Sequence, residues 1–121
     1  MLTYRTSLGK LGEHDALVML NQKGYTLRES NWRCRGGEID LVVEKGNLIV
    51  FIEVKLRQNY AYGSAEYAVH KIKQRRIVRA AVLYMKLKNL YNKDVRFDVI
   101  SIMPEGMHHI EDAFSAEGYC V

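Results

Sequence analysis

The chain has 121 residues, of which 48% are hydrophobic and 26% charged, and its net charge of +4 at pH 7 leans toward anionic partners. This length predicts one domain over residues 1–121 that buries a core, with a loose arm at 1–10 and a tail at 115–121. No stretch approaches the roughly 20 apolar residues of a membrane span, and the two cysteines lack the spacing of metal ligands, so the sequence argues against a membrane protein and indicates a reduced, cytoplasmic location.

The first predicted element is a helix that begins at Ser7 or Gly12, runs to about Lys23 and stops at Gly24. Its apolar stripe contains a carboxylate, because Glu13 falls at helical spacing with the alanine and leucines that follow it. Two interpretations stay open. Glu13 faces solvent, where the helix dipole favours it, or it points into the acidic site of the hairpin described below.

A first strand is predicted from Tyr25 to about Trp32, and residues 33–37, Arg-Cys-Arg-Gly-Gly, then turn the chain. Two adjacent glycines let the backbone approach a phosphate closely. A plain connecting loop explains the same residues equally well, and both interpretations stay open.

The next two strands, at 37–43 and 50–55, are rich in branched and aromatic residues and predict a hairpin. Gly46-Asn47 lies between them and is a two-residue turn signal. If that turn closes the hairpin, Lys45 faces Leu48, and this pairing sets the register of every pair further along the two strands.

This register places four charged side chains together, with Asp40 opposite Glu53 and Glu38 opposite Lys55. Side chains alternate between the faces of a strand, so all four share one face of the sheet. The other face is predicted to point into the core and carries Ile39, Leu41, Ile52, Val54 and Leu56.

Two carboxylates directly opposite each other repel, so the pair formed by Asp40 and Glu53 needs a further partner. A divalent cation between them would supply it, because Mg2+ is often held by one or two carboxylates together with water and phosphate oxygens. The carbonyl group of Val54 is a further candidate ligand. The alternative without a metal is an ordinary cross-strand pair of Glu38 and Lys55, with Asp40 turned to water.

Residues 57–64 form a polar loop that begins at Arg57 and carries two tyrosines able to stack on bases or to pack on the fold. A long helix is predicted from about Ala65 to Leu90. Its predicted buried stripe contains Val69, Ile72, Ala80, Leu83, Leu87 and Leu90.

The first half of the long helix is strongly basic, and no acidic residue occurs between Tyr67 and Lys93. Such clustering of one sign is typical of nucleic-acid binding, although a solvated face is the alternative. The candidate nucleic-acid-binding residues are Arg57, Lys71, Lys73, Arg75, Arg76 and Arg79. Lys73 lies at the edge of the apolar stripe and is placed to reach toward the acidic site.

A fourth strand is predicted from Val95 to Ile102 and a short fifth strand from Met107 to Phe114. His108 and His109 are adjacent, so they face opposite sides of a strand and cannot chelate one ion together. We interpret both histidines as structural or exposed to solvent. The sequence assigns no role to Asp98.

The motifs Gly37-Glu38-Ile39-Asp40-Leu41-Val42 and Phe51-Ile52-Glu53-Val54-Lys55, with Arg57 after them, resemble the motif block of the small bacterial proteins called YraN. The strand around Asp98 and the end at 110–114 also resemble that family, so the similarity extends from about Gly12 to Phe114. The pattern is similar in turn to the restriction-endonuclease-like nucleases, in which an Asp is followed by Glu-x-Lys on the next strand. Archaeal Holliday-junction resolvases share the Glu on the first helix.

This resemblance implies an α/β fold with a mixed central sheet of about five strands flanked by helices, in the order αβββαββ. It implies that Asp40 and Glu53 are metal ligands, with Lys55 beside the attacking water and Glu13 as an auxiliary acid. Glu38 completes the candidate catalytic set, and Mg2+ or Mn2+ is the implied cofactor.

Two functions from different classes are therefore predicted. The first is a metal-dependent DNA endonuclease that hydrolyses phosphodiester bonds, with branched or junction DNA as a candidate substrate and a homodimer as a candidate assembly. The second is a non-catalytic nucleic-acid-binding or adaptor protein that keeps an inert nuclease fold. Cleavage that needs a metal and disappears when Asp40 is replaced separates the two.

Overall fold

The described part of the chain contains two helices and five strands in the order αβββαββ, as the sequence predicted. The computed structural model describes residues 4–56 and 70–116, so the predictions for Arg57, for the tyrosine loop and for a helix start at Ala65 lie outside the described residues. The elements are α1 Tyr4–Gln22, β1 Thr26–Cys34, β2 Gly37–Lys45, β3 Leu48–Leu56, α2 Lys71–Leu87, β4 Asp94–Met103 and β5 Gly106–Phe114. Neither described helix is long and apolar enough to cross a membrane.

The strands form one mixed sheet in the order β1-β2-β3-β4-β5. The pair β3 and β4 is parallel, and the other three pairs are antiparallel. This arrangement follows from the connections, because short turns join the antiparallel neighbours while α2 lies in the crossover from β3 to β4. The predicted mixed sheet flanked by helices is thus confirmed.

The first helix begins at Tyr4, within the stretch predicted as a loose arm and earlier than the predicted starts at Ser7 and Gly12. It ends where the sequence indicated. Gly24 has φ +95°, and the amide of Tyr25 donates a hydrogen bond to the carbonyl of Leu20 at 3.0 Å. A glycine in the left-handed region is a common way to end a helix, because it lacks the Cβ that makes this conformation costly.

The predicted register of the hairpin is confirmed from the turn to the middle of the strands, where Lys45 pairs with Leu48 and Leu41 with Ile52. Beyond this point β2 keeps its pairing with β1, and Trp32 lies opposite Ile39. Between Ser30 and Trp32 in that ladder is Asn31, whose φ of +51° interrupts the regular alternation of β1.

The placement of Ile39 differs from the prediction. Ile39 is buried on the side of the sheet that faces α2, whereas Leu41 and Ile52 are buried on the opposite side, against α1. Ile39 follows its partner Trp32, which packs on the same α2-facing cluster. The prediction that Ile39 shares a face with Leu41 is therefore wrong, because it assumed an undistorted strand.

The buried face of α2 also differs from the prediction, since Ile72, Leu83 and Leu87 are 60%, 38% and 63% exposed. Ala80 is buried as predicted, and the helix otherwise packs through Ile77, Val78, Ala81 and Tyr84. The close approach of β2 to α2 determines which side of the helix is buried. A Cβ built on Gly37 would lie 2.7 Å from the carbonyl oxygen of Arg76, so only glycine lets β2 lie this near to α2. Helix packing, which was neither of the two interpretations left open for the Arg-Cys-Arg-Gly-Gly turn, accounts for Gly37.

Candidate active site

The two central carboxylates lie beside each other on neighbouring strands, where β2 begins and β3 ends. Glu53 is only 4% exposed, and Asp40 is half-buried. Oδ2 of Asp40 accepts a hydrogen bond of 2.8 Å from the amide of Val54, so the side chain of Asp40 bonds β3 just beyond the last paired residues of β2 and β3. The hairpin thus holds both groups on a rigid part of the sheet.

Burial makes both carboxylates hard to ionise. Burial and the neighbouring charge of Asp40 raise the pKa of Glu53 to about 7, against the opposing effect of Lys73. Burial also raises the pKa of Asp40, although the hydrogen bond from Val54 acts in the other direction. Such a pair favours a positive partner, because a nearby cation stabilises the ionised forms.

Two lysines supply positive charge at this place. Nζ of Lys73 lies 2.9 Å from Oε1 of Glu53, and Lys55 follows Glu53 by two residues on β3. Burial and the charge of Lys73 lower the pKa of Lys55. Burial acts to lower the pKa of Lys73 as well, but the hydrogen bond and charge of Glu53 outweigh it, and the pKa of Lys73 is raised. The sequence grouped Lys73 with the nucleic-acid-binding residues but also placed it to reach toward the acidic site, and its ammonium group lies at the carboxylates as that second prediction stated.

An open cleft of about 1050 Å³ connects these groups with α1, α2 and the turn between β1 and β2. Asp40, Glu53 and Lys55 line it, together with Arg76 and the α2 cap residue His70. The cleft therefore combines acidic and basic side chains.

Glu13 lines the same cleft, on the side formed by α1. Its Oε2 accepts a hydrogen bond of 3.1 Å from Nδ2 of Asn31. Asn31 is a residue that sequence reasoning missed. Its left-handed backbone is a conformation in which asparagine is enriched, but nothing in the strand pattern indicated it.

Glu38 pairs differently from the prediction. It lies opposite Arg33 of β1, and Nε of Arg33 is 3.6 Å from its Oε1. The ordinary cross-strand pair of Glu38 with Lys55 is therefore wrong, because the ladder of β2 and β3 ends before it reaches Glu38. Glu38 still lines the cleft, and its charge contributes to the raised pKa of Asp40.

The donor set suits a hard cation that keeps part of its water. Across residues 4–56 and 70–116, no group of three or more His, Cys, Asp or Glu side chains could hold a metal ion. The protein offers two carboxylates, Asp40 and Glu53, and Val54 lines the cleft between them and Lys55. One or two carboxylates completed by water and phosphate are typical of Mg2+ sites. The ammonium group of Lys73, which contacts Glu53, is a positive charge that the chain itself supplies at these carboxylates.

The basic residues of α2 extend from this cleft along the helix. Lys71, Arg75, Arg76 and Arg79 are exposed, and Arg76 lines the cleft itself. Residues four apart lie on one side of a helix, so Lys71, Arg75 and Arg79 form a continuous basic stripe.

A second polar cluster lies on the opposite face of the sheet, against α1. Asp98 is completely buried, and both of its oxygens accept hydrogen bonds of 2.8 Å from Arg96. Nε2 of His109 lies 2.7 Å from Oδ2 of Asp98, and the amide of Asp112 donates to Oδ1 at 2.9 Å. Burial would raise the pKa of Asp98, but the bonds from His109 and Arg96 outweigh it and lower the pKa.

This cluster gives Asp98 a structural role that the sequence did not show. His108 is exposed and His109 is buried, so the two histidines face opposite sides as predicted. No signal in the sequence indicated their separation into a surface residue and a partner of Asp98, because that depends on the pairing of β4 with β5.

Residues 12–102 match the model of a family described as "Uncharacterised protein family UPF0102". A "UPF0102 protein" of Syntrophus aciditrophicus (strain SB) is 43% identical over 117 residues, which cover 93% of this chain and 92% of that protein. A "UPF0102 protein" of Myxococcus xanthus (strain DK1622) is 39% identical over 93% of this chain and 92% of its own length. Another, of Geobacter metallireducens, is 43% identical over 94% of this chain and 97% of its own length. These names state no activity.

Proposed function

This chain belongs to the UPF0102 family, the YraN family that its motifs resemble, and we propose that it is a metal-dependent DNA endonuclease. One observation carries the proposal. Asp40 and Glu53 lie together on adjacent strands, with Lys55 on the same strand as Glu53, in an open cleft next to a basic helix. This combination of groups suits the hydrolysis of a phosphodiester bond.

A bound Mg2+ or Mn2+ would supply two effects, a lower pKa of its bound water and neutralisation of charge on the phosphate. Asp40, Glu53 and the carbonyl of Val54 would hold the ion. Lys55 adds a fixed positive charge for the oxygen on which negative charge develops. Glu13, held by Asn31, is an acid at the edge of the same cleft. The chain's own groups thus cover ion binding, charge stabilisation and an auxiliary acid.

The basic stripe of α2 supports DNA as the substrate, because phosphate contacts supply most of the affinity of non-specific nucleic-acid binding. Lys71, Arg75 and Arg79 would contact phosphates on either side of the one that is cut. These phosphate contacts do not determine which shape of DNA the protein prefers, so branched and junction DNA are tested beside linear forms.

A specific observation also favours the second candidate, a non-catalytic nucleic-acid-binding or adaptor protein. Lys73 already neutralises Glu53, and the protein provides fewer than three clustered ligand side chains among the residues described. A fold that no longer binds metal would retain such an internal ion pair. DNA binding without cleavage is the outcome that this candidate predicts.

The test is a cleavage screen over single-stranded, duplex, flap and four-way-junction DNA with Mg2+, with Mn2+ and with a chelator. Cleavage of at least one substrate that needs the metal and disappears in Asp40→Asn supports the nuclease. Binding of the same substrates without any cleavage would support the adaptor instead.

We expect the affinity for Mn2+ to rise with pH, by about tenfold per unit below pH 7, and then to level off. Burial and the charge of Asp40 raise the pKa of Glu53 to about 7, so protons compete with the ion for this carboxylate below that pH. Calorimetry between roughly pH 5.5 and 8.5 measures the dependence. Glu53→Gln has no proton to lose and is expected to bind weakly at every pH. An affinity that stays constant over the range would place the ion on other ligands.

We expect DNA binding to weaken for all sequences alike when Lys71, Arg75 and Arg79 are replaced together by Gln. The logarithmic salt dependence of the binding constant should become flatter by about 0.9 for each phosphate that the variant no longer neutralises. Fluorescence anisotropy at several salt concentrations measures this slope. Lys86→Gln is the matched control, because Lys86 is an exposed residue in the last turn of the same helix. An unchanged slope in the triple variant would identify a solvated face.

A further inference from the structure

The contact between Lys73 and Glu53 joins a half-exposed ammonium group to an almost completely buried carboxylate. The two atoms, Nζ and Oε1, are 2.9 Å apart, and the side chains are 46% and 5% exposed. Lys73 lies in the first turn of α2, where His70 caps the helix by accepting a hydrogen bond from the amide of Ile72. The backbone of Lys73 is therefore held in the helix, while its long side chain reaches across the cleft to the sheet.

The charges at this place balance without any added ion. Asp40 and Glu53 contribute two negative charges when ionised, and Lys55 and Lys73 contribute two positive charges. A divalent cation that joins this set meets two ammonium groups, and like charges a few ångströms apart in a partly buried site repel strongly. Binding of the ion is therefore favourable only if one ammonium group withdraws.

Lys73 is the group that can withdraw. Lys55 extends from a central strand of the sheet, whereas Lys73 extends from the exposed first turn of a helix and is in contact with solvent. Arg76, three residues further along α2, is exposed and lines the same cleft. An ammonium group that leaves Glu53 in this direction enters the region in which a DNA phosphate would lie.

We propose that Lys73 is the resident cation of the carboxylate pair, which neutralises Glu53 in the absence of a divalent ion and competes with that ion for it. The inference rests on the proposed function, which supplies the identity of the competing ion as Mg2+ or Mn2+. It assigns Lys73 a positioning role in the site, in contrast to the phosphate-binding role of Lys71, Arg75 and Arg79. A divalent ion can thus replace Lys73 as the cation in contact with Glu53.

Calorimetry with Mn2+ alone tests the competition, using the full chain and the variants Lys73→Met and Lys73→Arg. We expect Lys73→Met to bind Mn2+ at least about tenfold more tightly than the wild type, because a positive charge next to the ion has been removed. Lys73→Arg keeps the charge and should stay near the wild-type affinity. Lys86→Met is the matched control for net charge, since Lys86 lies about 20 Å further along the same helix, and it should leave the affinity unchanged.

Thermal unfolding without any metal provides a second readout. Lys73→Met should lower the melting temperature at pH 8 by on the order of 5 °C, since Glu53 then loses its ion-pair partner, and saturating Mn2+ should restore it. Lys73→Arg should show no such decrease.

The outcomes separate this inference from the proposed function. An unchanged or weaker Mn2+ affinity in Lys73→Met overturns the competition, even if the wild type cuts DNA. Tighter Mn2+ binding in Lys73→Met that Asp40→Asn abolishes supports it, even if no DNA is cut. If neither the wild type nor any variant binds Mn2+, both the competition and the proposed metal-dependent function are overturned.

Discussion

Asp40→Asn is expected to remove metal binding and DNA cleavage together, with a loss of cleavage on the order of a thousandfold or more. The amide oxygen of Asn can still accept the hydrogen bond that Val54 donates to Asp40, so the hairpin should keep its conformation. What disappears is one of the two negative charges that would hold the proposed cation. The substitution therefore acts on the chemistry of the site far more than on the fold.

Thermal unfolding with and without Mn2+ measures the first half of this prediction. A ligand that binds only the folded state at ten times its dissociation constant stabilises it by about 1.4 kcal/mol, which raises the melting temperature of the wild type. Asp40→Asn should show no such rise. Asp15→Asn removes the same charge from an exposed position of α1 and should behave like the wild type. Equal shifts in Asp40→Asn and the wild type would place the metal elsewhere.

The part of the site that could be predicted from the sequence is the part that local rules determine. Gly46-Asn47 sets the turn, and the turn sets the register as far as Leu41 opposite Ile52, so that Asp40 and Glu53, the next residues along the two strands, come to one place. Gly46 has φ +59°, as the turn requires. Each step involves neighbours in sequence or in one hairpin, so no knowledge of the distant chain was needed.

The positions that were not predicted depend on contacts between distant segments. Ile39 packs in the same cluster as its β1 partner Trp32, and the buried face of α2 depends on Gly37 lying under its backbone. Hydrophobicity alone favoured Ile72 and Leu87, which remain exposed. Small residues allowed a closer approach elsewhere on the helix, and packing followed that approach.

The two polar clusters show why a charged residue in a strand is ambiguous in sequence. Asp98 and Asp40 both lie among apolar neighbours, yet Asp98 has guanidinium, imidazole and amide donors, and its pKa is lowered. Asp40 receives one amide hydrogen bond, and burial raises its pKa. The supply of partners distinguishes a carboxylate that stabilises the fold from one that is available to a ligand. Asp98 is bonded by Arg96 of its own strand and by residues of β5, whereas the hydrogen bond to Asp40 comes from β3.

Lys55→Ala is expected to separate metal binding from catalysis. Lys55 cannot coordinate a metal while protonated, and a positive charge next to the ion raises the free energy of ion binding. The substitution should therefore leave Mn2+ affinity unchanged or make it tighter, while cleavage falls on the order of a hundredfold or more. This decrease follows if Lys55 acts on the water or the phosphate, where charge develops in the transition state. Calorimetry and the cleavage rate on one DNA substrate measure the two quantities.

The comparison of Lys55→Ala with Asp40→Asn makes this prediction specific, because Asp40→Asn should lose both quantities while Lys55→Ala loses only cleavage. Burial and the charge of Lys73 lower the pKa of Lys55. Because these two effects disfavour its ammonium form, a phosphate oxygen would be a favourable new partner for that group. Cleavage at the wild-type rate in Lys55→Ala would contradict the catalytic role. A parallel loss of Mn2+ affinity and cleavage would instead mean that Lys55 maintains the geometry of Glu53, two residues before it on the same strand.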